Sequence, residues 1–541
     1  MQLAAVLFAV AAALLQWWRL QSLMATYDQG IFLQVLWNGL HGHPFESTLS
    51  SQLSTNVVHS GELPSLGYHR LSQHFTPILA LWIPLVGLLG IWALPMLQVA
   101  LITAAGLVLY KLAKESLQPA LAATITLAFY GANAVVAPTL GNFTDLCQLP
   151  LLVFLLLYGL QREQRWLVAI SAGLIPMVRE DTGVVLASVG IWLAIRHPKR
   201  WPLAAGMIGY GLGWVALVTN QLMPLFGDDN AKRFMVSNFG QFAPGASRAS
   251  SVDIARQVFS QPLILLRELV SPPGQTLLYL LAQSLPLLLL PLLSIDAWLL
   301  MGLPLLGLLL ARGSNDPLSI NIRYTFLVVP GLFAGTILWW KQRQQLFATP
   351  RLRQLWHGCI LLSLLFAITA NQNRSFSFLI PDSVQPWVYA NPVHLWQHGQ
   401  AARAALQVIP SDASVSATTN LVPWLAQRKV LVRFPTTAYL DGQRQEQPVD
   451  WVSIDFNRLS RYAAAFPRDQ GTLTKALRWL KKSSEHYGVM AISDGVVVLQ
   501  RGGTTEAAQA KQLQALIQPL RQQQPTRIKS KCQNDAPGQQ C

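Results

Sequence analysis

The chain has 541 residues, of which 52% are hydrophobic and only 12% are charged, and its mean hydropathy is +0.34. About a quarter of the residues are charged in an ordinary soluble protein, so this composition excludes that class. The formal net charge is +15. The basic residues lie in short stretches between apolar runs and in the tail, which is typical of membrane topology signals and does not favour a nucleic-acid partner.

Long apolar runs recur from the N-terminus to about residue 370 and predict a mainly α, polytopic bundle of about 11–12 transmembrane helices. The first run lacks the charged start and the cleavage site of a signal peptide, so we expect an uncleaved span. Residues 76–90 are apolar but short and contain prolines, and they form either a further span or a re-entrant segment. The remaining candidate spans are residues 92–110, 119–138, 146–160, 166–178, 182–195, 202–224, 276–293, 297–311, 323–340 and 355–370.

The distribution of Lys and Arg predicts the orientation, provided that residues 76–90 do not cross the membrane. One face then carries most of the inter-helix cations, namely Lys111, Lys114, Arg162, Arg165, Arg196, Lys199, Arg200, Lys341 and Arg343. The positive-inside rule makes that face cytoplasmic. We therefore expect a multi-pass protein of the plasma (inner) membrane, with the loop Tyr27–Pro77 and everything beyond residue 371 outside the cytoplasm.

Beyond the bundle, which we assign to residues 1–370, the patterning changes. Residues 371–400 read as a linker, and alternating strand and helix patterns over 401–502 predict a small extracytoplasmic α/β domain. Residues 503–541 are rich in Gln, basic and poor in apolar side chains, so we expect a disordered tail. Within the bundle, the amphipathic stretch near 252–269 predicts a helix that lies on the bilayer surface.

The loop Tyr27–Pro77 follows the first span, is rich in His, Asn, Gln and Ser, and carries Asp28 near its start. A carboxylate at a low-dielectric boundary gains proton affinity, which suits a general base. We therefore interpret this segment as the catalytic loop and Asp28 as its catalytic residue. The alternative is that Asp28 is the N-cap of the next helix, because an apolar-periodic run follows it.

Arg179, Glu180 and Asp181 lie between two short apolar segments, where charged side chains are costly unless they are paired or hydrated. The guanidinium fork of Arg179 suits a phosphate group. The two acids could orient the acceptor or the arginine, which makes all three residues substrate-binding candidates. The alternative is a self-paired turn at the membrane surface.

His74 and Tyr324 are two further substrate-binding candidates. His74 begins the apolar segment and could contact a phosphate or, together with Asp28, a metal. It could instead be hydrogen-bonded to the backbone. Tyr324 follows Arg323 at the outer end of a helix, where it could reach a phosphate or anchor the helix at the interface. His69 and His74 are five residues apart and the four cysteines lack ligand spacing, so we expect no metal and no other cofactor.

The stretch "YDQGIFLQVLWNGLHGHPFESTL" followed by "HFTPILALWIPL" resembles a family of predicted membrane proteins of bacteria and archaea, a domain of unknown function that is similar to the GT-C glycosyltransferases. The resemblance continues through "REDTGVVLA" (179–187), "IRYTFLVVPGLF" (322–333) and "SDGVVVLQR" (493–501). Similar proteins tend to carry a His in the loop where this chain has Thr144 and Asp145. The resemblance implies a GT-C-like bundle with an acid of the first external loop as general base, which falls on Asp28.

The leading interpretation is a glycosyltransferase that moves a sugar from a polyprenyl-phosphate donor to an extracytoplasmic acceptor, with membrane lipid around it. Two alternatives stay open: a transporter or lipid-handling protein, and a non-catalytic envelope scaffold. The sequence alone does not decide whether the chain is an enzyme, and it leaves the sugar, the acceptor and the oligomeric state open.

Overall fold

The computed structural model describes residues 1–57, 62–227, 230–312 and 317–522. The first part of the chain forms α1 (Gln2–Gln21), α2 (Tyr27–Leu40), α3 (Thr48–Val57), α4 (Ile83–Leu89), α5 (Ala93–Lys114), α6 (Pro119–Gly131), α7 (Asn133–Thr139), α8 (Leu149–Gln161), α9 (Arg165–Leu174) and α10 (Gly183–Arg196). The bundle continues with α11 (Trp201–Leu217), α12 (Met223–Phe226), α13 (Asn230–Phe239), α14 (Ser251–Ser260), α15 (Pro262–Leu269), α16 (Pro273–Ser284), α17 (Ile295–Leu310), α18 (Val329–Lys341) and α19 (Pro350–Ala370). Short 3-10 turns at Arg70–Ser72, Pro77–Trp82, Asp145–Gln148 and Arg323–Leu327 matter for the site.

Several of these helices are suited to a membrane by length and composition. Within the described residues, four stretches are long and apolar enough to cross: Gln2–Gln21, Pro77–Lys114, Pro198–Phe226 and Pro350–Ala370. Helices α6 and α7, which meet at a bend of 46°, make a fifth if they are counted as one broken span. Shorter apolar helices are Asp145–Gln161, Arg165–Met177, Gly183–Arg196 and Ile295–Leu310. The predicted apolar runs therefore coincide with helices, whereas crossing by the short ones stays a prediction.

The apolar segment 76–90 is a 3-10 turn followed by α4, and it joins α5 through Gly90. Gly90 has a φ of +55°, which is a left-handed conformation that side chains rarely adopt. Helix α4 packs on the C-terminal half of α2, where Ile83 lies directly against Gly39. The segment therefore packs against α2, the helix whose first turn carries Asp28.

The helix ends that carry the predicted cytoplasmic cations lie together. Arg162 is paired with Glu115 at 3.5 Å, which joins the ends of α8 and α5. The side-chain amide of Gln344, just beyond α18, donates to the carbonyl of Ser116 at 3.0 Å. These contacts bring the ends of α5, α8 and α18, which carry several of those cations, to one end of the bundle.

The amphipathic stretch 252–269 forms two helices instead of one. Helix α14 ends at Ser260 and α15 begins at Pro262, whose ring removes the amide hydrogen that a continuous helix would use. Phe259, Leu263 and Leu266 are 75%, 82% and 62% exposed. Such large exposed apolar side chains are consistent with contact to lipid, and the contact itself stays a prediction.

The C-terminal part is a small α/β domain. Its elements are β1 (Ser383–Val384), β2 (Trp387–Val388), α20 (Pro392–Leu406), β3 (Val415–Ala417), α21 (Val422–Leu425), β4 (Leu431–Arg433), β5 (Ala438–Leu440), β6 (Glu446–Pro448), β7 (Trp451–Asp455), α22 (Phe456–Ala463), α23 (Pro467–Ser483), β8 (Tyr487–Ser493), β9 (Val496–Arg501) and α24 (Ala507–Gln522). Five strands form a mixed sheet in the order β4-β3-β7-β9-β8, with β4, β3 and β7 parallel. Helices α22, α23 and α24 supply Phe456, Leu477 and Ile517 to the apolar core of the domain.

Two predicted boundaries need correction. Helix α20 begins at Pro392, inside the segment 371–400 that we predicted as a linker, and it packs on β8 and β9. Helix α24 occupies residues 507–522 of the predicted disordered tail, because Leu513, Leu516 and Ile517 pack on the domain core. Residues 523–541 of that tail lie outside the described residues.

Helix α3, within the loop Tyr27–Pro77, covers the free edge of strand β4. The hydroxyl of Thr48 donates to the carbonyl of Leu431 at 2.7 Å and accepts from its N–H at 3.0 Å. One turn later, the amide of Gln52 donates to the carbonyl of Arg433 at 2.8 Å and accepts from its N–H at 2.5 Å. Alternate residues of an edge strand expose these backbone groups, so the two side chains replace a neighbouring strand.

Thr48→Val should lower the free energy of unfolding by about 1–3 kcal/mol, because it leaves the backbone groups of the fully buried Leu431 without a partner. Thr124→Val is the matched control, since the hydroxyl of Thr124 bonds to the carbonyl of Ala120 within its own helix. Denaturant unfolding of both variants in one detergent makes the comparison. Equal losses would contradict the role of Thr48 at the sheet edge.

A buried histidine joins α20 to the sheet. His398 Nε2 lies 2.9 Å from Asp455 Oδ2, and its Nδ1 lies 2.8 Å from Asp494 Oδ2. With a carboxylate at each ring nitrogen, the imidazolium form donates both hydrogen bonds. Burial alone would lower the pKa of His398, but Asp455 and Asp494 outweigh it, so the pKa lies above its ordinary value.

This raised pKa predicts how stability depends on pH. A group whose pKa is raised by folding stabilises the fold below its ordinary pKa, and the stabilisation is lost as the pH rises through the raised value. We therefore expect the unfolding temperature to fall as the pH rises above about 6.5, the ordinary pKa of histidine, and to fall less in His398→Gln. Thermal unfolding at several pH values measures this, and parallel profiles for the two proteins would contradict it.

Candidate active site

Asp28 lies in the first turn of α2, two residues after the N-cap Thr26. The N-terminus of a helix carries a partial positive charge, which favours a carboxylate there. Because Thr26 occupies the N-cap position, the alternative that Asp28 is the cap is wrong. The carboxylate of Asp28 is instead directed to another part of the chain.

The start of α2 is fixed by the loop that follows α7. The side-chain amide of Asn142 donates to the hydroxyl of Thr26 at 2.8 Å, and Gln29 Oε1 accepts from the N–H of Phe143 at 2.7 Å. These bonds bring Asp145 to the same end of the bundle, where it is 2% exposed. A second carboxylate therefore lies buried near Asp28.

A series of contacts joins four of the residues predicted for the site. Asp28 Oδ2 is paired with Arg323 Nη1 at 3.0 Å. The ring of Tyr324 lies against two guanidinium groups, 5.3 Å from that of Arg323 and 5.5 Å from that of Arg179. Arg179 in turn donates to both carboxylate oxygens of Asp181, at 2.7 and 2.5 Å. Asp28, Arg179, Asp181 and Tyr324 thus lie in one cluster.

The remaining two predicted residues are paired with each other. Glu180 Oε1 lies 2.8 Å from His74 Nδ1, and its Oε2 accepts from the N–H of Phe75 at 3.0 Å. The partner of the His74 ring is therefore a carboxylate and not the backbone. The self-paired turn that we considered for residues 179–181 describes Arg179 with Asp181, whereas Glu180 reaches across to the first loop.

Arg179 is held as a cation. Its side chain is 6% exposed, and burial alone would lower its pKa. The adjacent carboxylate of Asp181 more than compensates and raises the pKa of Arg179 well above its ordinary value. The cluster therefore combines fixed positive charge with carboxylates that can accept protons.

Sequence reasoning missed Arg70, which lies in the same loop as Asp28. Its side chain is 4% exposed, and its guanidinium carbon lies 4.5 Å from the centre of the Phe32 ring. Asp145 and Arg323 act on it electrostatically from beyond contact distance. The signal was present in "HRLSQH" (69–74), where one arginine stands between two histidines, but the sequence alone does not show that it is buried.

The chemistry of this cluster is that of proton transfer and anion binding. Carboxylates accept protons, and guanidinium groups bind phosphates and carboxylates. In the part of the chain that the structure describes, no group of three or more His, Cys, Asp or Glu side chains is placed to hold a metal ion.

The molecule combines an apolar helical bundle with a small α/β domain that packs against it, and a cluster of charged residues lies at one end of the bundle. This architecture is that of a membrane protein with a polar site. The chain belongs to the family of predicted membrane proteins DUF2079, whose model matches residues 19–498. The family predicted from the first-loop residues is thereby confirmed. The fold is similar to the crystal structure of ArnT from Cupriavidus metallidurans bound to undecaprenyl phosphate, with 14% identity, a TM-score of 0.44, and coverage of 91% of this chain and 97% of that one. No curated protein sequence matches the chain.

Proposed function

We propose that this chain is a membrane glycosyltransferase of the GT-C type, which transfers a sugar from a polyprenyl-phosphate donor to an acceptor outside the cytoplasm. The observation that supports it most is the pairing of Asp28 with Arg323 beside Tyr324 and Arg179. A transfer from a phosphate-linked sugar needs a base for the acceptor and cations for the leaving phosphate. This cluster supplies both at the end of an apolar bundle.

In the proposed reaction, Asp28 takes the proton of the acceptor hydroxyl while the acceptor oxygen attacks the anomeric carbon of the sugar. The bond from that carbon to the phosphate oxygen breaks, and its electron pair leaves with the polyprenyl phosphate. A direct displacement of this kind inverts the anomeric centre. Guanidinium groups such as that of Arg179 stabilise the leaving phosphate, and Tyr324, His74, Glu180 and Asp181 orient it or the acceptor.

The orientation that we propose follows from the basic end of the bundle. That end faces the cytoplasm of the plasma (inner) membrane by the positive-inside rule, which places the charged cluster and the α/β domain outside. Donor lipid would then reach the cluster laterally from the outer leaflet.

The decisive experiment uses the purified full-length protein in detergent or nanodiscs. It is incubated with polyprenyl-phosphate sugars and membrane extract, and release of free polyprenyl phosphate is followed by mass spectrometry. Time-dependent release that requires the extract supports the transferase. No release from any donor, together with substrate uptake by vesicles containing the protein, would replace it with the transport function.

A further inference from the structure

Arg70 is a buried charge without a partner. Its Nε atom has no hydrogen-bond acceptor, and no carboxylate oxygen among the described residues lies within 4.0 Å of its side-chain nitrogens. Every other arginine of the cluster is paired, Arg179 with Asp181 and Arg323 with Asp28. Arg70 is thus the cation of this site that is left available.

Such an arrangement is costly in the free protein. Removing a guanidinium from water is repaid only by an ion pair or by hydrogen bonds to all of its N–H groups. The ring of Phe32 offers a cation–π contact, but it accepts no conventional hydrogen bond from the fork. Asp145 is the acid that acts most strongly on Arg70, and it does so from beyond contact distance. The fork therefore has unused donors that suit an anion.

The same segment carries further buried polar atoms without partners. They are both amide atoms of Gln73 and the hydroxyl of Thr76, and these residues are 2% and 0% exposed. Together with Arg70, they belong to the stretch that runs from the 3-10 turn Arg70–Ser72 to the first residue of the apolar segment 76–90. A buried polar atom without a hydrogen-bond partner costs free energy of folding. The polar side chains of this stretch therefore do not stabilise the fold and are available to a ligand.

Arg323 lies within electrostatic range of Arg70, and the two guanidinium groups oppose each other. An anion near Arg70 would relieve this repulsion and would compete with Asp28 for Arg323. We propose that Arg70 binds the phosphate group of the substrate, and that a phosphate bound there draws Arg323 away from Asp28.

The consequence concerns the base. While Asp28 is paired with Arg323, its Oδ2 atom is engaged by the guanidinium group and is not free to meet the acceptor hydroxyl. When the phosphate takes Arg323, the carboxylate oxygen is released from the ion pair and can accept the acceptor's proton. The donor would thus activate the base by binding. This inference rests on the proposed function for the lipid part of the ligand, whereas binding of the phosphate group at Arg70 does not require transferase activity.

Binding tests the proposal without requiring turnover. Purified full-length protein is titrated with undecaprenyl phosphate, with undecaprenol and with inorganic phosphate, and complexes are followed by native mass spectrometry. The wild type should prefer undecaprenyl phosphate to undecaprenol, and Arg70→Met should weaken that binding about 10- to 100-fold. Arg70→Lys should retain part of it, because it keeps the charge but loses the fork.

Two controls separate a binding role from a structural one. Arg162→Gln removes an exposed cation at the basic end of the bundle and should bind like the wild type. Arg70→Met should leave the ligand-free protein as stable as the wild type or more so, since it removes an unpaired buried charge. Arg428→Met should destabilise it, because the guanidinium of Arg428 donates to the carbonyls of Leu425, Pro410 and Ala413.

The outcomes are distinct. One result is that inorganic phosphate competes with undecaprenyl phosphate for the wild type and fails to compete in Arg70→Met. That result would support a site that binds the phosphate group without the lipid. Preference for undecaprenyl phosphate without such competition, again lost in Arg70→Met, would support a site that also needs the lipid. Unchanged binding by Arg70→Met, or equal binding of undecaprenol, would overturn the inference. Arg70-dependent binding without sugar release from any donor would overturn the transferase and leave the phosphate site standing.

Discussion

Asp28→Asn should slow the release of polyprenyl phosphate by about 10²- to 10⁴-fold, which is the usual contribution of a general base. Asparagine has the same shape and can still accept a hydrogen bond from Arg323, but it cannot take up the acceptor's proton. The first turn of α2 and its N-cap Thr26 would be unaffected, so binding of the donor should persist. The measurement is the rate of carrier-phosphate release by mass spectrometry, at saturating donor.

Asp296→Asn is the control for this substitution. Asp296 also forms an ion pair with an arginine, with Arg196 at 2.7 Å, but near the basic end of the bundle. Its variant should release carrier phosphate at the wild-type rate. If Asp28→Asn were equally active, the base would have to be another carboxylate of the cluster, namely Glu180 or Asp181.

Asp455→Ala should lower the free energy of unfolding by about 3–5 kcal/mol, because it removes one partner of a buried ion pair. Asp455 is fully buried and receives hydrogen bonds from His398 at 2.9 Å and from Asn420 at 2.6 Å. Its other oxygen accepts from the N–H of Arg458 at 2.8 Å and caps α22. The substitution therefore leaves an imidazolium, an amide and a helix end without their acceptor.

The companion variant Asp494→Ala acts on the same histidine from its exposed side. The Asp494 side chain is 47% exposed, so water can replace it, and the loss should be about 0–1 kcal/mol. Denaturant unfolding of the two variants, read from the fluorescence of the domain's tryptophans, gives the comparison. Equal losses of unfolding free energy in the two variants would mean that burial does not determine how strongly each carboxylate stabilises His398.

Local patterns predicted much of the fold. The apolar runs 92–110 and 355–370 coincide with α5 and α19, and the strand patterns after residue 401 correspond to the mixed sheet. Hydropathy and periodicity depend on neighbouring residues, so they are sufficient for elements of this kind. The same dependence on neighbouring residues explains why the tail was predicted to be disordered. Helix α24 is stabilised by packing on a core that is distant in sequence, which its own composition does not show.

The site was predicted only as separate pieces. Asp28 and Arg323 are 295 residues apart, and no local pattern indicates that they meet. Arg70 was not among the predicted site residues, because the sequence does not show that its side chain is buried. Which charges are paired is a property of the tertiary structure, and the pairing distinguishes an available cation from an occupied one.

The contact between α3 and strand β4 has a consequence for the evolution of the chain. Thr48 and Gln52 bind backbone groups of Leu431 and Arg433, so this contact does not depend on which side chains the strand carries. These hydrogen bonds therefore persist when a side chain of the strand changes, although Leu431 and Val432 are fully buried and must stay apolar for the core. The two helix residues have little freedom to change, because their side chains make the bonds. The contact therefore holds the domain against the loop that carries Asp28 without depending on the exposed side chains of the domain.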